Sequence, residues 1–89
     1  MSKKLYKRAI KQLGKEDQVI RAIEEMGELT HDLARWLNGK KDHVEEEMAD
    51  VFICLEVLML IFDKDKVAEV KEQKLARMER RLNGEEKED

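Results

Sequence analysis

Residues 45–62 read EEEMADVFICLEVLMLIF, and this stretch decides the fold. Four of its first six residues are acids, whereas from Val51 to Phe62 every position but Glu56 is apolar. The run is too short, and interrupted by that charge, to span a bilayer. Read as a helix starting near His43, behind an Asp42/Glu45 pair that resembles an acidic N-terminal cap, it is apolar on nearly every side beyond Asp50. Three short partners from one chain cannot cover such a helix, so a subunit interface is its natural environment.

Upstream, the pattern from about Asp17 to Leu37 reads as a second helix. Val19, Ile23, Met26, Leu33 and Leu37 form its expected inward face, with Ala22, Leu29 and Trp36 on the adjoining flank. A first helix over roughly Lys4 to Leu13 carries a narrow stripe of Leu5, Ala9, Ile10 and Leu13 that needs a larger surface to dock on. Downstream, about Asp65 to Leu82 reads as a fourth helix with Val67, Val70, Leu75, Met78 and Leu82 inward, ended by Asn83 and Gly84. The breaks fall at Gly14, Asn38 to Lys41 and Asp63 to Lys66. The tail over residues 84–89 reads as frayed.

The composition agrees with helices. There is no proline, glycine occurs four times and aromatic residues make up 4% of the chain, which starves β-structure of its usual residues. The expected fold is all-α, one domain over residues 1–89, a small bundle of about four helices completed by oligomerisation, because 89 residues bury little apolar surface alone. A single cysteine, Cys54, excludes an internal disulfide framework, and the basic N-terminus lacks the apolar stretch of a signal peptide. A cytoplasmic location without membrane attachment is the expectation. A net charge of -3 offers no global attraction for a nucleic acid polymer.

The acids carry the chemistry. Glu25 and Glu28 form an E-x-x-E pair on the second helix, and Glu47 and Asp50 an E-x-x-D pair on the third; residues three apart project from one face. Spacing alone does not select them. The same spacing occurs at Asp42/Glu45, Glu69/Glu72, Glu85/Glu88 and Glu86/Asp89, and 21 acids generate about five such pairs by chance. Direction does select them. On a helical wheel Glu47 and Asp50 share a line with Cys54, Val57 and Ile61, and Glu25 and Glu28 adjoin the Ala22, Leu29 and Trp36 flank. Carboxylates facing inward lose hydration and repel one another, so they require a cation, a basic partner or raised pKa values. Hard oxygen ligands suit Mg²⁺, with Mn²⁺ as a substitute, and either ion takes further oxygens from phosphates. The competing reading is ordinary solvated or salt-bridged helix acids.

These same residues resemble a known family. A-I-E-E-M-G-E-L from Ala22 to Leu29 and E-E-E-M-A-D-V-F-I from Glu45 to Ile53 look like the two signature helices of the MazG-like, all-α nucleotide pyrophosphohydrolases. The likeness runs from about Tyr6 to Leu82 and includes K-L-A-R-M-E-R-R-L from Lys74 to Leu82. It implies that Glu25, Glu28, Glu47 and Asp50 hold catalytic Mg²⁺. It also implies cleavage of a nucleoside triphosphate between its α and β phosphates, giving the monophosphate and pyrophosphate as nucleotide house-cleaning, by a homodimer or homotetramer. Such chemistry needs neutralised phosphate charge and an in-line water rather than covalent help. Glu24, Glu46 or one of the four motif acids is then the candidate to orient or deprotonate that water.

Other residues have two readings each. Lys74, Arg77 and Arg81 form a basic stripe beside Val70, either closing over the triphosphate or snorkelling on a solvated edge. Lys40 and Lys41 are plain loop residues. Trp36 either stacks on a nucleobase or packs against the first helix, and Asn38 either reads a base edge or terminates its helix. His31 and His43 lack partners at zinc-ligand spacing and read as surface residues. Cys54 reads as a buried, inert thiol. Glu56 pairs with a cation such as Arg21 or with an interface partner, or reaches solvent at a seam. Two alternatives compete with the main reading. A phosphoribosyl-ATP pyrophosphohydrolase would be expected to resemble D-L-L-Y-H where this chain has Asp50-Val-Phe-Ile-Cys54. A non-catalytic helical adaptor or regulator would keep its acids without binding metal.

Overall fold

A computed structural model of the chain describes residues 2–40 and 43–85. They form four helices, α1 (Ser2–Leu13), α2 (Lys15–Leu37), α3 (Val44–Leu58) and α4 (Lys64–Leu82), with no strand among the described residues. The all-α expectation is met.

The breaks have local causes. Gly14 joins α1 to α2 as a one-residue hinge at φ 93, ψ 155, backbone space that a side chain strongly disfavours. At the end of α2 the N–H groups of Gly39 and Lys40 donate to Trp36 O and Arg35 O, a Schellman motif with Gly39 at φ 81. Asn38 is the C-cap and also donates its side-chain amide to Ala34 O at 3.2 Å, so the helix-terminating role holds. The Schellman pattern returns at the end of α4, where Gly84 and Glu85 donate to Arg81 O and Arg80 O. Residues 86–89 of the expected frayed tail lie outside the described residues, as do Lys41 and Asp42. The cap expected from Asp42 is therefore not described; His43 holds the N-cap position of α3 without a side-chain capping bond. Glu45, Glu46 and Glu47 fill the first turn of α3, where they complement the helix dipole. α4 starts one residue earlier than expected because Asp63 caps it, Oδ1 accepting from the Lys66 N–H at 3.0 Å.

α2 and α3 pack as an antiparallel hairpin and α1 leans on both. The register places Glu25 beside Asp50 and Glu28 beside Glu47. Farther along the same seam Gln18 and Arg21 lie level with Val57 and Cys54. The core is small: Ala22, Val51, Cys54 and Val57, with Gln18 as the buried polar residue. α4 packs on none of the other three helices. The radius of gyration is accordingly 16.4 Å, against about 12 Å for a compact domain of this length.

That arrangement corrects the expected inward faces. Of the expected inward face of α2 only Val19 is half-buried, while Ile23, Met26, Leu33 and Leu37 are exposed. The seam runs instead along Gln18, Ala22, Glu25 and Leu29, because α3 is the one long helix beside α2 and covers a single flank. Of the expected inward residues of α4 only Val70 is half-buried; Val67, Leu75, Met78 and Leu82 are exposed, since no other described helix lies over them. On α1, Ala9 and Ile10 are half-buried while Leu5 and Leu13 remain exposed. No described helix is long and apolar enough to cross a membrane.

Candidate metal centre

The antiparallel seam gathers three of the four motif acids. Glu25, Glu47 and Asp50 each offer an oxygen, and these oxygens lie within 4.8 Å of one another. All three side chains are half-buried. The Oε2 atoms of Glu25 and Glu47 are withdrawn from solvent and accept no hydrogen bond from any described residue. An anionic oxygen left in that condition is unfavourable.

Their titration reflects this. Burial pushes the Glu25 carboxyl above the usual glutamate range, and the charges of Glu28 and Asp50 push it further, against a smaller opposing pull from Arg21. Glu47 is raised by burial first, then by Glu28, Glu25 and Asp32. Glu25 also shares a hydrogen bond with Asp50, and Glu47 with Glu28. Two carboxyls in such contact at neutral pH need a proton or a cation between them.

Glu28 stands on the solvent side of the group. It lines an open cleft of about 600 Å³ together with Glu24, Gly27, His31, Asp32 and Glu47. Asp32 is a member that the sequence reading missed. It follows Glu28 by four residues and Glu25 by seven, so it continues the acidic face of α2; extending the line one more turn would have found it. Its carboxylate lies 3.6 Å from His31 Nδ1 and is 17% exposed.

The remaining candidates are placed less centrally. Glu24 is exposed at the cleft rim, whereas Glu46 is exposed beside His43, 3.5 Å away, and does not line the cleft. His31 and His43 are surface residues, as expected. Trp36 is 62% exposed and lines neither the cleft nor α1, which sits at the opposite end of α2. Lys74, Arg77 and Arg81 lie on α4, which packs on neither acid-bearing helix, so one chain does not bring the basic stripe onto the seam. Lys74 and Arg77 line a shallow depression with Gln73 and Arg80. Cys54 is a buried free thiol. Glu56 has an unexpected partner: the Tyr6 hydroxyl donates to its Oε1 at 2.6 Å, tying α1 to α3, and the carboxylate in turn raises the Tyr6 pKa.

No protein-family description, curated protein or solved structure matches the chain.

Proposed function

We propose that the chain is a Mg²⁺-dependent nucleoside triphosphate pyrophosphohydrolase of the MazG-like type, acting as a homodimer or homotetramer. The observation that carries this reading is the Glu25, Glu47 and Asp50 cluster, with ligand oxygens within 4.8 Å and two glutamate oxygens buried without a donor. Those orphaned oxygens fit a hard divalent cation, since the donor set is all oxygen and surplus negative charge otherwise stays uncompensated. Glu25, Glu47 and Asp50 would hold the ion, with Glu28 at the solvent edge. When bound, Mg²⁺ or Mn²⁺ neutralises phosphate charge and favours attack by water.

The chain's own residues supply position and proton handling. α2 and α3 fix the acids on facing turns of two paired helices, so little rearrangement is needed when substrate arrives. Glu24 at the cleft rim is placed to accept a proton from the attacking water, and Asp32 extends the acidic wall. The open cleft admits a polyphosphate chain. Assembly is supported by the row of exposed apolar residues on α4 and by Ile23, Met26, Phe52 and Leu55 on the outer faces of α2 and α3. A second copy would cover these and would carry Lys74 and Arg77 of its α4 towards a neighbour's phosphates.

The test is pyrophosphate release from a panel of ribo- and deoxynucleoside triphosphates with and without Mg²⁺, run beside Glu47→Gln and Asp50→Asn. Metal-dependent formation of monophosphate and pyrophosphate, lost in both folded variants, supports the hydrolase. Absence of turnover across the panel overturns it and leaves phosphoribosyl-ATP hydrolysis or the helical adaptor as the better reading.

A further inference from the structure

The net charge of -3 conceals an uneven distribution. Five of the chain's 18 Lys and Arg fall in α1 and none of its 21 Asp and Glu do, so everything outside α1 is net -8. At about 100° per residue these cations, Lys3, Lys4, Lys7, Arg8 and Lys11, occupy one arc of about 140° on the helix. Leu5, Tyr6, Ala9, Ile10 and Leu13 occupy the opposite arc, of similar width. All five cations are exposed, and none makes an ion pair among the described residues. The apolar arc is poorly covered by its own chain. It leans on the α2–α3 seam, yet no residue of α1 is fully buried, and Leu5 and Leu13 stay 59% and 61% exposed. With exposed Ile53 they rim a half-open depression between α1 and the seam. Gly14 alone joins α1 to α2, at a φ of 93, and rotation about this residue re-aims the whole helix.

We propose that α1 is a membrane-surface helix: its cations settle among anionic lipid headgroups, and rotation at Gly14 moves Leu5, Ala9 and Leu13 from their half-open dock into the acyl boundary. Segregated cationic and apolar arcs of this kind fit a helix lying in the plane of an interface. Charge and apolarity together select the partner. A nucleic acid offers phosphates to the five cations and leaves Leu5 and Leu13 in water. A bilayer containing anionic lipid accepts both arcs at once. The rest of the chain, at net -8, is repelled by the same headgroups, so α1 fixes which side approaches. Leaving the dock costs little, since α1 gives up no fully buried side chain; the Tyr6 hydrogen bond to Glu56 Oε1 is the tie it breaks. The contact is with a surface, as no described helix is long and apolar enough to cross a membrane, and it replaces the expectation of a chain without membrane attachment.

The experiment is pelleting of the full chain with sucrose-loaded vesicles of phosphatidylcholine alone or with about one-third phosphatidylglycerol. EDTA is present so that no divalent cation bridges carboxylates to lipid. The expected result is binding to the anionic vesicles at least about tenfold tighter than to the neutral ones, abolished at about 1 M salt, where the Debye length is about 3 Å. Lys7→Gln with Lys11→Gln should weaken anionic-vesicle binding at least about tenfold, and Leu5→Ser with Leu13→Ser should do the same. All four side chains are exposed in the folded chain, and circular dichroism checks that each variant keeps its helices. Sensitivity to the Lys pair but not to the Leu pair, with tighter binding to a duplex DNA oligonucleotide than to vesicles, overturns the lipid contact in favour of nucleic acid. No binding to either vesicle, or binding that neither pair weakens, overturns the membrane helix. A sedimentation shift towards monomer in the Leu5→Ser, Leu13→Ser chain would then assign the apolar arc to a second copy. Nucleotide turnover enters none of these outcomes, so the hydrolase stands or falls separately.

Discussion

The α2–α3 seam and α4 are both incomplete in one chain, but for opposite reasons. Along the seam, Ala22, Val51 and Cys54 let two helices approach closely, and the approach drives Glu25, Glu47 and Asp50 together with more negative charge than the described neighbours offset. On α4, Leu75, Met78 and Leu82 stand in water with no helix above them. One region has surplus charge and the other surplus apolar surface. An isolated 19-residue helix is only marginally stable in water, so on the proposed reading a neighbour would cover α4 as a cation would offset the seam. A packed feature thus points to a small ligand, and an unpacked one to a macromolecular partner.

The largest effect that sharpens this contrast is expected at Glu47. Glu47→Gln should lower metal-dependent turnover at least about a hundredfold, since several kcal/mol of phosphate charge stabilisation depend on the ligand set, while raising the thermal midpoint of metal-free protein by relieving repulsion. A drop in both quantities would show that the acid is structural. On the other side, Leu75→Glu combined with Met78→Glu should shift the sedimentation profile towards monomer and weaken assembly about tenfold or more, each buried side chain contributing about 1.5–3 kcal/mol. An unchanged profile would separate α4 from the interface.

A smaller effect concerns pH. Glu25 and Glu47 titrate above the usual glutamate range in the folded chain. The folded state therefore binds more protons than the unfolded state between the ordinary glutamate value and the raised ones, and there these two groups reduce stability as pH rises. Metal-free protein should lose thermal stability as pH climbs through that window, and the midpoint gain from Mg²⁺ should be larger above the window than below it. Equal gains on both sides would contradict a carboxylate site. The smallest effect belongs to Gly27, a helical glycine at the cleft with nothing within 4 Å of an added Cβ. Gly27→Ala should stabilise the chain by roughly 0.5–1 kcal/mol in chemical denaturation; a loss of stability would show that the added methyl is not accommodated.

Much of this architecture is legible in the order of residues. Helical periodicity, the absence of proline and the glycines at 14, 39 and 84 locate four helices to within a few residues. The apolar context of Asp50 and Ala22 turns Glu25, Glu47 and Asp50 inwards, whereas Glu28, expected to share that face, is exposed. Partnership is less legible. The wide apolar arc of α2 allows several inward faces, and the seam took the flank with Gln18 and Ala22 because small residues permit the closest approach of α3. Tyr6 and Glu56 are 50 positions apart, so their hydrogen bond depends on a tertiary docking that no local pattern encodes. The position of α4 is not encoded in its own periodicity, since its apolar stripe meets none of α1, α2 or α3. Asp32 is different in kind, since its signal is local and continues the Glu25 and Glu28 line.

The hairpin register also bears on how this chain tolerates change over generations. Glu25 meets Asp50 and Glu28 meets Glu47 across helices joined at a Schellman turn beside Gly39. An added residue next to Gly39 lengthens the connection and leaves every pairing intact. A single deletion between Gln18 and Glu25 rotates one side of the seam by about 100° relative to the other, separating the acids from the buried amide that shares their face. Lineages carrying this site should therefore differ in length at the turn and hold the spacing within α2 fixed.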